Sequence, residues 1–368
     1  MNLCCSFCQR LYPVDTREWR CECGGILEME GAARFSRTAI NTRDTTLWRY
    51  RAMLPIQQEE DIVSLGEGGT PLVETRIHGL KVLCKLEFLA PTGSFKDRGT
   101  TVLVSMLRRM GVTEVVEDSS GNAAASLAAY CARAGIHARI FAPAHASPAK
   151  LAQIEVYGAE LVSVEGPREE SALAAQRAVS EGEAKSRPYY ASHNYSPFFV
   201  QGVKTLAFEI WEHLGCTPHN LVMPVGHGSL PMGAYHGFKE LQAAGLIERM
   251  PRLIAVQARA CAPLLQAYQQ GLEDPKPVTA GRTVAEGISS SSPVRGRQML
   301  RAIRETEGTV VAVDEGQILE ARTLLARQGL YVEPTSATVA AALPELRRTL
   351  APDEVTVLIL TGNGLKSP

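Results

Sequence analysis

The chain has 368 residues, 45% of them apolar and 21% charged, with a formal net charge of −1. This is ordinary globular composition for one large or two medium domains. It excludes partners recognised by a strongly basic surface, such as nucleic acid, and no run is apolar enough over ~20 residues to span a membrane. Two cysteines among the first five residues do not make a signal peptide, so a soluble cytoplasmic protein is expected.

Residues 1–30 read as a separate piece. Five of the nine cysteines lie there: Cys4, Cys5, Cys8, Cys21 and Cys23. Cys5-x2-Cys8 and Cys21-x-Cys23-Gly24-Gly25 resemble the two knuckles of a zinc ribbon, in which four thiolates make a tetrahedral structural site. The second knuckle is one residue short of the usual spacing, and a ribbon that has lost its metal fits as well. Residues 31–60 are expected to hold a linker and a first helix. Ser64 to Leu72, dense in glycine and ending Thr70-Pro71-Leu72, reads as a loop. Lys81 to Leu86 reads as a short strand.

From Lys96 onward, helical and strand-like runs alternate. Helices are expected at 100–110, 123–134, 148–157 and 168–180, and strands at 112–117, 138–142 and 160–164. A second series has helices at 198–214, 230–244, 262–270, 315–327 and 335–348, with strands at 221–225, 253–257, 309–313 and 355–360. Strands separated by helices imply parallel sheets. The expected fold is α/β, with two doubly wound domains and the small N-terminal ribbon-like segment. Residues 31–95 with 205–368 would form the large domain, and 96–204 the small one.

Four stretches carry chemistry. Lys96 follows the small-residue loop Pro91-Thr92-Gly93-Ser94-Phe95 and opens a helical run. The helix field and partial burial there favour a neutral, nucleophilic amine, as a Schiff base with an aldehyde requires. Ser119-Ser120-Gly121-Asn122 lies between a strand and a helix start, where unpaired N–H groups cradle an anion such as a substrate carboxylate. Gly226-His227-Gly228-Ser229-Leu230 follows an apolar strand and opens another helix, a phosphate-cradle arrangement. It is neither a dinucleotide fingerprint nor a P-loop. Thr361-Gly362-Asn363-Gly364-Leu365-Lys366 follows the last strand, at the sheet edge that faces ligands. Taken singly, each has a plain use as a cap or turn. Together, a reactive lysine, a phosphate cradle and an anion loop point to pyridoxal phosphate.

This set resembles threonine synthase and its relatives among the fold-type-II, tryptophan-synthase-beta-like enzymes that use pyridoxal phosphate. The resemblance runs from the ribbon-like segment to Lys366. It implies that Lys96 holds the cofactor aldehyde and moves protons on the substrate. It implies that Asn122 meets the cofactor's 3′-oxygen, that Gly226, His227, Gly228, Ser229 and Leu230 hold its phosphate, and that Thr361 meets its ring nitrogen. Ser119 and Ser120 would hold the substrate carboxylate. The implied reaction converts O-phosphohomoserine and water to threonine and phosphate, in a homodimer.

Two departures stand out. Phe199 occupies the place of the arginine expected to grip the substrate phosphate, and a phenyl ring cannot replace that clamp. Arg98, Lys204 and Arg295 are the cations considered in its stead. Thr283 to Ile288 looks more like the serine/threonine ammonia-lyase branch. The alternatives are therefore an ammonia-lyase or β-replacement enzyme on the same scaffold, and a pyridoxal-phosphate-binding protein without catalysis.

Overall fold

The first strands are β1 (Asn2–Cys5), β2 (Leu11–Pro13) and β3 (Leu27–Glu30), the last of which alternates apolar and charged residues. β4 (Leu72–Ile77), β5 (Leu80–Lys85), α1 (Lys96–Arg109), β6 (Glu114–Glu117), α2 (Asn122–Ala134) and β7 (His137–Pro143) follow. Next come α3 (Pro148–Val156), β8 (Glu160–Val164), α4 (Arg168–Ser180), β9 (Tyr189–Tyr190), α5 (Pro197–Val203) and α6 (Thr205–Leu214). The remainder holds β10 (Asn220–Pro224), α7 (Ser229–Ala243), β11 (Arg252–Ala258), α8 (Pro263–Gln269), α9 (Gly296–Glu305) and β12 (Thr309–Val313). It closes with α10 (Glu315–Ala326), α11 (Pro334–Ala341), α12 (Leu343–Leu346) and β13 (Thr356–Ile359). The computed structural model describes all residues except 32–34, 145, 147, 167, 182–186, 352 and 368, and the side chains of 148–150 and 168.

These elements form two units. The first comprises Met1–Gly68 and Lys96–Gly202; the second comprises Gly69–Phe95 and Val203–Pro368. The expected domains placed residues 31–68 elsewhere, with the C-terminal part. Hydrogen bonds to α1 explain why they group with it. Val63 N donates to Ser105 Oγ (2.9 Å), and Thr101 Oγ1 donates to Val63 O (2.6 Å). Trp48 Nε1 donates to Glu67 Oε1 (2.9 Å) and Thr101 Oγ1 (3.1 Å). The helix expected within 31–60 is replaced, among the described residues, by three short 3-10 turns, at Arg37–Ala39, Leu47–Met53 and Glu59–Asp61. The middle one buries Leu47, Trp48, Tyr50 and Met53 and bends at Tyr50. Tertiary burial there decides against a continuous helix.

In the first unit, β2-β1-β3 is an antiparallel sheet and β8-β7-β6-β9 a parallel one. Trp19, from the N-terminal segment, meets Tyr190 and Tyr195 edge-on at 4.9 and 4.7 Å. Tyr190 belongs to the small core with Val116, Phe141 and Ala175, so the segment is anchored by an aromatic plug. The run 198–214 is two helices, α5 and α6, with the break at Lys204. α5 lies on α1 so closely that a β-carbon on Gly202 would sit 1.8 Å from Arg98 O.

In the second unit, the sheet order is β12-β11-β10-β13-β5-β4. All pairings are parallel except the β4–β5 hairpin, whose turn residues His78 and Gly79 have φ of 49° and 77°. Two positive φ values match the twist of a tight hairpin. Val222, Ile254, Val256, Val311 and Leu358 of the sheet pack with Ile318, Ala321, Leu325, Val339 and Ala340 of α10 and α11. Among the described residues, no helix is long and apolar enough to cross a membrane.

The α1–α5 contact gives a test. Gly202→Ala should destabilise the protein by ~1–3 kcal/mol or more, because helix backbone must move to admit one methyl. Denaturant midpoints of the variant and wild type measure this.

Candidate active site

Lys96 is the first residue of α1. Its neighbour Asp97 is buried and accepts from Ser126 Oγ at 2.7 Å. Ser126 Oγ also lies 2.8 Å from Thr100 Oγ1, so the first turns of α1 and α2 lie side by side. The Lys96 Nζ is 5.8 Å from the centre of the Phe199 ring. That ring is wedged onto α1: a β-carbon on Gly99 would lie 2.5 Å from three of its carbons. The face of the ring, rather than a positive charge, therefore neighbours the lysine.

The loop Asp118–Gly121 leaves the end of β6 and enters α2 at Asn122. Gly121, at the N-cap, offers no side chain to the helix start. The N–H groups of the first turn are thus suited to an anion. Ser119 is buried, and its Oγ accepts from Gly121 N at 3.3 Å; Ser120 and Asn122 are half-buried. Asp118 accepts from Tyr190 OH at 2.7 Å. Lys96, Ser119, Ser120 and Asn122 thus all lie in the N-terminal turns of α1 and α2 or in the loop entering α2.

Two residues that the sequence reasoning passed over lie in this unit. His193 Nδ1 is 3.3 Å from Glu117 Oε1, and His193 N donates to Glu117 Oε2 at 3.2 Å. Both residues are buried. The His193 ring is 5.7 Å from the Phe199 ring, at 63°. The signal available in the sequence was an acidic residue at a strand's carboxyl end, directly before the anion loop.

The second unit carries the other predicted residues. Gly226–Gly228 links β10 to α7. Gly228 has φ of +107°, and a β-carbon there would meet Met299 Sδ at 2.8 Å and Arg295 Cβ at 2.9 Å. Only glycine fits this left-handed position against α9. It also leaves the start of α7, at Ser229 and Leu230, without a side-chain cap. His227 O accepts from Arg295 N (3.0 Å), and His227 Nδ1 pairs with Ser290 Oγ (3.2 Å). His227 is thereby held by its backbone and its ring. Thr361 follows β13, the neighbour of β10, so both features share one sheet edge. Its Oγ1 pairs with Ser336 Oγ at 2.9 Å, and its carbonyl accepts from Phe95 N at 3.0 Å. An uncapped helix start behind a glycine turn fits a phosphate, and a hydroxyl held by a second hydroxyl fits a ring nitrogen.

The cations considered in place of Phe199 are all buried. Lys204 is bonded to Glu240 at 2.7 Å. Burial lowers the pKa of Lys204 and raises that of Glu240, while each partner opposes the shift. Lys85 forms a comparable buried pair with Glu209 at 2.7 Å. These pairs build the scaffold. His236, on α7, is held down to about 4 by burial and by the nearby charges of Arg295, Lys204 and Lys239.

At the N-terminus, Cys5, Cys8, Cys21 and Cys23 bring their Sγ atoms within 4.8 Å of one another. Cys5 and Cys23 are 3.4 Å apart, and Cys8 and Cys21 3.5 Å. A turn made by Cys21 N to Gly25 O (2.9 Å) and Gly24 N to Cys21 O (2.8 Å) points both later thiols inward, despite the short spacing. Cys4 instead donates to Gln9 Oε1.

The fold and the two helix-start cradles define a cofactor enzyme of the α/β type. The family model described as pyridoxal-phosphate dependent enzyme matches residues 63–362, and the chain belongs to that family. It is 36% identical to the threonine synthase of Methanocaldococcus jannaschii, over 99% of this chain and 92% of that one. It is 35% identical to the threonine synthase of Synechocystis, over 87% and 82%. Among solved structures, a threonine deaminase from T.th. superposes with a TM-score of 0.65 at 26% identity, covering 80% of this chain and 92% of that one. Within the family, the chain stands in the threonine synthase branch and is a lyase.

The depressed pKa of His236 has a consequence for stability. As the pH falls, the unfolded chain takes up this proton near 6.5, whereas the folded chain resists until about 4. Stability from this group is complete above pH 6.5 and lost between 6.5 and 4. His236→Gln should therefore flatten the acid limb of unfolding free energy by up to about 3 kcal/mol, read from denaturant melts across that range.

Proposed function

We propose that the protein converts O-phosphohomoserine and water to threonine and phosphate, with pyridoxal phosphate as cofactor. The observation that carries this reading is the 36% identity to a threonine synthase over 99% of the chain, joined to a lysine at the start of α1 beside an anion loop. Pyridoxal phosphate supplies, when bound, a sink for the electron pair released at the substrate's α carbon.

The residues divide the work. Lys96 holds the cofactor aldehyde and then takes and returns protons on the substrate. Ser119, Ser120 and the start of α2 hold the substrate carboxylate, and Asn122 meets the cofactor's 3′-oxygen. Gly226 to Leu230 hold the cofactor phosphate on the start of α7. Thr361 meets the ring nitrogen with a neutral hydroxyl, which does not force that nitrogen to stay protonated. The sink is then moderate, suited to elimination and hydration at the carbons beyond the α position.

Phe199 and the segment Thr283–Ile288 favour one other reading, an ammonia-lyase that forms a 2-oxo acid from threonine or serine. The fold shared with a threonine deaminase is consistent with it. One assay separates the two. The pyridoxal-phosphate-loaded protein should release phosphate and threonine in equal amounts from O-phosphohomoserine. Lys96→Ala should lose this by at least about 10²–10⁴-fold, the usual share of a proton-transferring group. A 2-oxo acid from threonine, with no phosphate release from O-phosphohomoserine, would replace the first reading by the second.

We also infer that Cys5, Cys8, Cys21 and Cys23 bind a structural zinc, making residues 1–30 a zinc ribbon. Tetrahedral Zn–S bonds of ~2.3 Å place sulfurs ~3.8 Å apart, close to the separations seen. Metal analysis should find about one zinc per chain and none in Cys21→Ser. Full zinc content in that variant would rule the site out.

A further inference from the structure

We propose that His193, held by Glu117, donates the proton to the substrate's leaving oxygen; this rests on the lyase reaction assigned above. Four observations meet in the first unit. His193 turns Nδ1 and its own backbone N–H onto the two oxygens of one buried carboxylate. This fixes the ring, and proton exchange falls to Nε2. The ring lies 5.7 Å from Phe199, and the Lys96 Nζ lies 5.8 Å from the same phenyl. Imidazole and amine are thus neighbours of one ring, which sits so close to Gly99 that a β-carbon there would lie 2.5 Å from three of its carbons. Glu117 is the last residue of β6, and the anion loop begins at the next position. Phe199 itself has no proton to give.

The chemistry calls for such a donor. In the elimination, a base takes the proton of the C–H bond next to the leaving group. The electron pair of that bond forms the new C=C bond, and the C–O pair departs on oxygen. A phosphate monoester dianion leaving without a proton would depart as a trianion. If Nε2–H supplies the proton, hydrogen phosphate leaves and the imidazole becomes neutral. The proton taken from the C–H bond goes to the carbon that lost the phosphate, which becomes the methyl group. The water added later gives its hydroxyl to the neighbouring carbon and its remaining proton to the imidazole, so atoms and charge balance.

The experiment compares leaving groups within one variant, so that any loss of folding cancels. The cofactor-loaded wild type, His193→Gln and Glu117→Gln are each assayed with O-phosphohomoserine and with 2-amino-4-chlorobutanoate, whose chloride departs without a proton. Absorbance of the bound cofactor reports loading independently of turnover. For His193→Gln, phosphate release should fall about 10²-fold while chloride release changes less than about 3-fold, with loading intact. Glu117→Gln should fall in the same sense by about 10-fold. Equal losses for both leaving groups, or no loss for either, would overturn the proposal. If the wild type releases no phosphate, the proposed reaction fails separately. The same ratio is then read between serine and β-chloroalanine, whose hydroxide and chloride differ in the same need for a proton.

Discussion

One close approach governs the lysine's surroundings: α5 rests on the first turn of α1 with no space for a side chain at Gly202. The carbonyl of Arg98 lies where a β-carbon of Gly202 would stand, and the Phe199 ring presses on Gly99. Interiors this dense do not deform gradually. The position of Lys96 is therefore set as much by α5 as by its own helix. The same wedge explains why a phenyl ring is tolerated at Phe199. It fills a space that backbone contact has already shaped, and it makes an apolar wall against which the amine and the imidazole both lie.

Three helix starts hold the residues proposed for the chemistry: α1, α2 and α7. Two of them, α2 and α7, follow directly from parallel strands and are preceded by a glycine that brings no capping side chain. Such ends collect unpaired N–H groups and the positive end of the helix dipole. These ends suit an anion without a cationic side chain at the loop itself. Positive charge is placed elsewhere, in the buried pairs Lys85–Glu209 and Lys204–Glu240, where neutralised partners hold helices to the scaffold. Breaking one partner of such a pair leaves a buried charge, which is why these residues resist being borrowed for ligand binding.

The alternation of strands and helices after Lys96 was legible because helices and buried strands leave different periods in the sequence. The loops at 118–122 and 226–230 were legible because glycine and serine between a strand and a helix have few other uses. The first 68 residues were less so. Leu47–Met53 has helical composition, yet Trp48 and Tyr50 are drawn inward and the backbone yields. The division at Lys204 was not read from the sequence, although Gly202 stands two residues before it. His193 and Glu117 are far apart in the chain, and only the pairing of β6 with β9 brings their segments together. The cysteine cluster was visible as a pattern, but the inward turn that lets a C-x-C pair converge is a matter of backbone hydrogen bonds.

The placement of β13 bears on the order in which the protein can be made. This strand, Thr356–Ile359, is made after the other twelve described strands, yet it lies inside the sheet, between β10 and β5. Until the ribosome has released it, the β4–β5 hairpin has no neighbour to join, and a ladder edge on each side stays open. The first unit, complete by Gly202, is free of that delay. Synthesis therefore sets a sequence of events: the first unit can condense early, while the second unit waits for β13. Long-range parallel pairing of this kind is slow and exposes strand edges in the meantime. A chain cut just before Thr356 would lose far more than one strand, because its largest sheet would be left in two pieces.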